Sequence, residues 1–194
     1  YKYEGVFKDA LHKIKFDGEA GWLPLLREEA ELALPAAKMR WLQQFDLITC
    51  VPTAPERRRQ RGFDVPQELF AGLLEGRSVG MEVLLERVRH TQPLYELKPE
   101  ERKQELAGCF ALLPHARVRG KHVLLCDDIY TTGSTFAEAA QVLLDAGAAR
   151  VSALALCAVL LVSLVPAARA AQADGQLQFD ENGEFRILIV ADTQ

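Results

Sequence analysis

Val123-Leu124-Leu125-Cys126-Asp127-Asp128-Ile129-Tyr130-Thr131-Thr132-Gly133-Ser134-Thr135 is the stretch on which the reading of this chain turns. Its first four residues form a short, unbroken apolar run, the pattern of a strand buried on both faces of a parallel sheet. Asp127 and Asp128 follow where such a strand emerges, and a turn of hydroxyl side chains around one glycine comes next. From Phe136 to Ala146 the apolar spacing predicts a helix, stopped by Gly147. Strand, acid pair, hydroxyl turn and helix, in that order, predict an α/β fold.

The order has a chemical meaning. Ligands of open α/β sheets bind beyond the carboxyl ends of the strands. A helix N-terminus placed there presents N–H groups without intrahelical partners and a partial positive charge, which suits phosphate. Thr131, Thr132, Ser134 and Thr135 add donors, and Gly133 lets a ligand approach the backbone. Asp127 and Asp128 carry the wrong sign for phosphate but accept hydrogen bonds from vicinal sugar hydroxyls. The combination describes a cradle for ribose 5-phosphate. Capping alone uses one or two such side chains, not a run of them. The Gly-Lys-Ser/Thr of a P-loop is absent, which weakens a nucleotide triphosphatase reading.

These residues resemble the phosphoribosyl pyrophosphate (PRPP) motif of type I phosphoribosyltransferases. In that family the acid pair holds the ribose hydroxyls and the following loop wraps the 5-phosphate. The resemblance therefore implies ribose contacts for Asp127 and Asp128. It implies phosphate contacts for Thr131, Thr132, Gly133, Ser134 and Thr135.

A chain of 194 residues, 49% hydrophobic, is expected to form one domain with an appendage. A net charge of −4 argues against broad electrostatic binding to nucleic acid. Cys50, Cys109, Cys126 and Cys157 are widely spaced, so neither a zinc site nor a disulfide framework is implied and a cytoplasmic setting is expected. The chain opens on Tyr1 rather than Met, as a sequence lacking an upstream part would.

In chain order, helical spacing is expected over Tyr3–Phe16 and about Leu23–Gln44, the latter ended or bent at Pro35. Both read as packing elements without chemistry. Asp46 to Pro52 reads as a second buried strand. The loop after it, Thr53 to Gly62, carries Arg57, Arg58, Arg59 and Arg61. Arginines at the ligand edge of a sheet offer the bidentate donors that pyrophosphate needs, which makes Thr53 and these four a candidate pyrophosphate loop. A helix is expected from Phe63 to Glu75, and an exposed connection from Leu84 to Gln104. Lys121 and His122 lie at the opposite edge and are expected to be structural.

A second resemblance gathers the outer motifs. Val51-Pro52, Arg61-Gly62-Phe63, Arg89-His90-Thr91-Gln92-Pro93-Leu94, Glu101-Arg102 and Gly108-Cys109-Phe110 are similar to segments of the competence protein F (ComF) family, a branch of the type I phosphoribosyltransferase fold. The opening, Tyr1 to Gly21, is similar to that family's first helix. The likeness spans residues 1–157. Asp64 and Val65 depart from the family's Asn-Gln, and Glu105 from an expected Asn. Members usually begin with a cysteine-rich, zinc-finger-like segment that this sequence lacks.

The resemblance implies an enzyme that binds Mg²⁺–PRPP, with Mg²⁺ held through PRPP, and transfers phosphoribosyl to a nitrogen acceptor with release of pyrophosphate. Arg58, Arg61, Arg102 and Lys103 would be catalytic, with Gln92 near the acceptor. A homodimer is compatible with this. The alternative it implies is a non-catalytic protein of competence and DNA uptake, or a PRPP-sensing regulator on the same fold.

Val151 to Cys157 reads as a further buried strand, and beyond it the composition changes. Ala158 to Pro166 continues apolar and Ala168-Arg169-Ala170 follows, the form of a signal peptide placed in mid-chain. The uncharged run from Val151 to Ala168 also raises a membrane-tethered form, against which Pro166 argues. After a polar linker, Phe185 to Gln194 resembles the first strand of a calcineurin-like metallophosphoesterase, with Asp192 and Gln194 in its metal-ligand positions. Residues 158–194 are therefore expected to be a foreign tail joined to a transferase domain, the alternative being a family-specific C-terminal strand added to the sheet.

Overall fold

A computed structural model describes residues 5–33, 42–74, 79–89, 91, 99–158, 178–179 and 185–186. At its centre is a parallel sheet in the order β1 (Leu47–Cys50), β4 (His122–Tyr130), β5 (Arg150–Ala158). Leu47 to Cys50 pair with Val123 to Cys126, and Val123 with Val151, so the three apolar runs lie in register. Alternate residues of β4 serve two apolar layers. Leu124 and Cys126 pack with Leu11, Ile14, Leu26, Ile48, Leu69 and Phe70 on one face. Val123 and Leu125 pack with Leu85, Leu106, Phe136, Leu143 and Val151 on the other. Both faces of β4 are dry, as its unbroken apolar run requires.

The first helix, α1 (Gly5–His12), runs into a single π-helical turn at Lys13–Asp17, and Gly18 at φ 72° ends it. After a 3₁₀ turn at Ala20–Trp22 comes α2 (Leu23–Ala33). The helix expected to Gln44 is therefore shorter; residues 34–41, Pro35 among them, lie outside the described residues, and 42–44 form a 3₁₀ turn.

Three expectations change. The arginine loop is a helix, α3 (Pro55–Arg61): Pro55 sits in its first turn, Arg58, Arg59 and Arg61 in its last, and Gly62 caps it at φ 83°. The connection after Leu84 contains β2 (Leu85–Arg87), antiparallel to β3 (Phe110–Leu112), and α5 (Pro99–Leu106). Leu84, Leu85 and Leu106 are buried, so its few apolar residues anchor it. Finally, α6 is Ser134–Asp145, beginning two residues earlier than Phe136. The helix expected at Phe63–Glu75 is α4 (Val65–Leu74).

His122 holds its structural place: its ring lies 4.5 Å from that of Phe45, and its N–H donates to Asp46 at 2.8 Å. Residues 151–157 form a strand, not a membrane helix, and no described helix is long and apolar enough to cross a membrane. In the tail, Gln178–Phe179 pair antiparallel with Phe185–Arg186. The rest of the tail, with the signal-like segment, Asp192 and Gln194, lies outside the described residues.

Candidate active site

β4 carries the acid pair to the end of the sheet. Asp128 is 3% exposed and bound by a residue from the far end of the chain. Lys15 Nζ donates to Asp128 Oδ1 at 2.8 Å and lies 2.7 Å from Oδ2. The Oδ2 contact has the distance of an ion pair without the angle of a hydrogen bond. Asp127, half-buried, accepts the backbone N–H of Asp128 on Oδ1 at 2.8 Å. Burial first, and then the neighbouring Asp128 charge, push the Asp127 carboxyl well above its ordinary value, while Lys15 opposes the rise. Beneath the acids lie three thiols on three strands. Contact with Cys126, and then burial, push Cys50 well up; burial pushes Cys157 up to about 11.

The hydroxyl turn follows. Thr131 is exposed, Thr132 Oγ1 and Ser134 Oγ lie 2.9 Å apart, and Gly133 takes φ 80°. The first intrahelical bond of α6 runs from the Ala137 N–H to the Gly133 carbonyl at 2.8 Å. The N–H groups of Ser134, Thr135 and Phe136 precede it, and no side chain caps them. A twelve-residue helix thus opens its positive end beside two carboxylates.

The arginines of α3 divide between two places, because successive residues of a helix point about 100° apart. Arg57 and Arg61 are one turn apart and half-buried. Burial lowers the Arg61 guanidinium, Asp128 and Asp64 counter it, and Arg57 adds to it. Arg58 and Arg59 are exposed and line a cavity of about 650 Å³ with Thr53, Asp64, Gln67 and Arg87. Arg59 also pairs with Glu56 at 3.5 Å. This cavity lies along β1, and its lining includes no residue of the 127–135 stretch.

Asp64 fixes the two helices around that cavity. Its Oδ2 accepts the Thr53 N–H at 2.8 Å and its Oδ1 the Gln67 N–H at 3.4 Å, an N-cap for α4. The departure from the family's Asn thus retains the acceptor that a cap needs.

Two residues of the site were not expected from sequence. Lys15 lies in a segment expected to have no chemistry, and the ion pair with Asp128 corrects that. Its signal is position: four residues after Leu11, it falls on the apolar stripe. Arg87 is the other. Its Nη2 bonds Thr91 Oγ1 and its guanidinium sits 5.6 Å from the Phe110 ring centre. Burial lowers it, with Asp127 and Arg57 among its charged neighbours. Its signal is pleat alternation, which puts it on the face of the buried Leu85. Arg61 Nη1 and Arg87 Nε are buried donors without a hydrogen-bond partner among the described residues. Gln92 and the side chains of Arg102 and Lys103 lie outside the described residues.

Residues 75–170 match the phosphoribosyl transferase domain family. The chain is 35% identical over 161 residues to the DNA utilization protein YhgH of Escherichia coli, covering 81% of this chain and 70% of that protein. It is 36% identical over 156 residues to YhgH of Salmonella typhimurium, covering 77% of this chain and 66% of that one. It is 28% identical over 163 residues to the competence protein ComFC of Bacillus subtilis, covering 80% and 61%. The chain thus spans about two thirds of the length of the curated relatives it matches.

Proposed function

This chain belongs to the ComF family of phosphoribosyltransferase-type proteins, and from that premise we propose that it binds Mg²⁺–PRPP and transfers the phosphoribosyl group to a nitrogen acceptor. One observation carries the reading: Asp127 and Asp128 lie near the carboxyl end of β4, which closes at Tyr130, and the hydroxyl turn after it leads into the uncapped start of α6 at Ser134. The 5-phosphate would take the free N–H groups and the hydroxyls of Thr131 to Thr135. The ribose hydroxyls would donate to the acid pair.

Arg61 and the unexpected Arg87 would receive the diphosphate on their free donors, with Arg57 one turn before Arg61 beside them. Arg58 and Arg59 line the cavity beside them; Arg102 and Lys103 are the candidates on α5. Mg²⁺ prefers substrate phosphates and waters to an all-protein cage. In the transfer, the bond from the anomeric carbon to the diphosphate oxygen breaks and that oxygen keeps the electron pair. The acceptor nitrogen forms the new bond and loses its proton to solvent. The protein positions the sugar and stabilises the departing charge.

A second reading, a PRPP-binding accessory of competence or DNA uptake, is favoured by the names of the relatives and by the Lys15 hold on Asp128. Isothermal titration tests both. Saturable PRPP binding is expected with Mg²⁺ and is weakened by about tenfold or more in Asp127→Asn, which replaces one carboxyl oxygen of the ribose cradle by an amide donor. No saturable binding would sink the reading. Release of pyrophosphate with any nucleobase decides for the transferase; binding without release decides for the accessory.

A further inference from the structure

We propose that Lys15 is a positioning residue for sugar binding: from the first helical segment it clamps both carboxylate oxygens of Asp128 and so fixes the stretch of β4 that carries the acid pair. The inference deepens the PRPP reading and rests on it.

The geometry is that of a built contact. Lys15 Nζ lies 2.8 and 2.7 Å from the two oxygens, and the side chains are 22% and 5% exposed. The neighbours that bring it there are rigid: Leu11 and Ile14 are fully buried in the layer under β4, and the π-helical turn at Lys13–Asp17 closes on Gly18. A π-helical turn is rare and concentrates at functional sites. From Asp128 the hold passes to its neighbour, because the Asp128 N–H is the donor that fixes Asp127 Oδ1. The clamp thus orients one acid through its side chain and the other through the backbone between them.

Charge requires the clamp as much as geometry does. Two adjacent buried carboxyls cannot both ionise without repulsion, and burial penalises the charged form of each. Around them stand Lys15 from the first helix, Arg61 from α3, Arg87 from β2, and the thiols Cys50 and Cys157. Arg61 and Arg87 each keep a free buried donor for a ligand, whereas Lys15 Nζ donates to Asp128 Oδ1 and lies 2.7 Å from Oδ2. Lys15 is therefore the cation assigned to the acids, and the arginines are the cations left for an anion.

The test is a double-mutant cycle on the affinity for Mg²⁺–PRPP, measured by isothermal titration, with the melting temperature of each variant. Lys15→Met is expected to weaken binding about tenfold, as loss of a buried charge partner does. Lys15→Met/Asp128→Asn is expected to bind no more weakly than Asp128→Asn alone, since nothing remains to clamp. The double variant removes both buried charges together, so it stays folded where Lys15→Met does not. In that case its agreement with Asp128→Asn is the supporting result. Affinity of Lys15→Met within twofold of wild type, whatever its melting temperature, overturns the proposal by making the pair merely structural. A double variant clearly weaker than Asp128→Asn overturns it as well, by making Lys15 an independent ligand contact. Both leave the PRPP reading standing; failure of the wild type to bind PRPP removes both.

Discussion

Asp127 is where the needs of a ligand and of the fold diverge. Its carboxyl is raised well above the ordinary 3.8 by burial and by Asp128, so the folded chain keeps a proton that the unfolded chain has lost. Stability from this group is therefore lost as pH rises above about 4, the ordinary carboxylate value. Asp127→Asn is expected to melt higher than wild type at pH 8 while binding PRPP less well, and the gap should narrow towards pH 4. Thermal scans of the two proteins across that range check the sign, and a gap that widens on acidification contradicts it. At this scale the sequence was half legible. The acid pair announces itself because two charges rarely follow a dry apolar run. Lys15 does not, because its partner is 113 residues away and no local pattern encodes that distance.

Among the elements, α6 decides what the hydroxyl turn can do. Gly133 stands at φ 80°, a conformation that disfavours a side chain by about 1–2 kcal/mol. Gly133→Ala is expected to lower the melting temperature by about 2–8 °C, given the entropy of unfolding of a chain this size. It should also weaken inorganic phosphate binding, followed by ³¹P line broadening, because the N–H groups that follow would turn away. Unchanged broadening would mean that phosphate sits elsewhere. The start of α6 two residues early is understandable after the fact: Ser134 and Thr135 tolerate a first helical turn, where their hydroxyls still reach outwards. The α3 helix was legible too, in Pro55, Glu56 and Gly62, but the run of arginines reads as a pyrophosphate loop.

For the whole molecule, the two apolar layers around β4 draw on residues from Ala10 to Cys157. A chain ending at Cys157 is expected to keep a cooperative thermal transition within about 4 °C of the full chain, the effect of about 1 kcal/mol in a protein of this size. Loss of that transition would make the tail an integral layer. The sheet was readable because three dry apolar runs can be satisfied only by pairing with one another. The β2–β3 pair with α5 between its strands was not, since its anchors, Leu85 and Leu106, are few and far apart among charges.

The span of the Lys15–Asp128 contact sets an order of events during synthesis. The lysine leaves the ribosome early and waits until residue 128 has followed and β4 has zipped between its neighbours. Long-range closure of this kind is slow compared with helix formation. A refolding chain should therefore regain its circular dichroism before it regains a grip on sugar, and the interval between the two measures how long the first helix stays undocked.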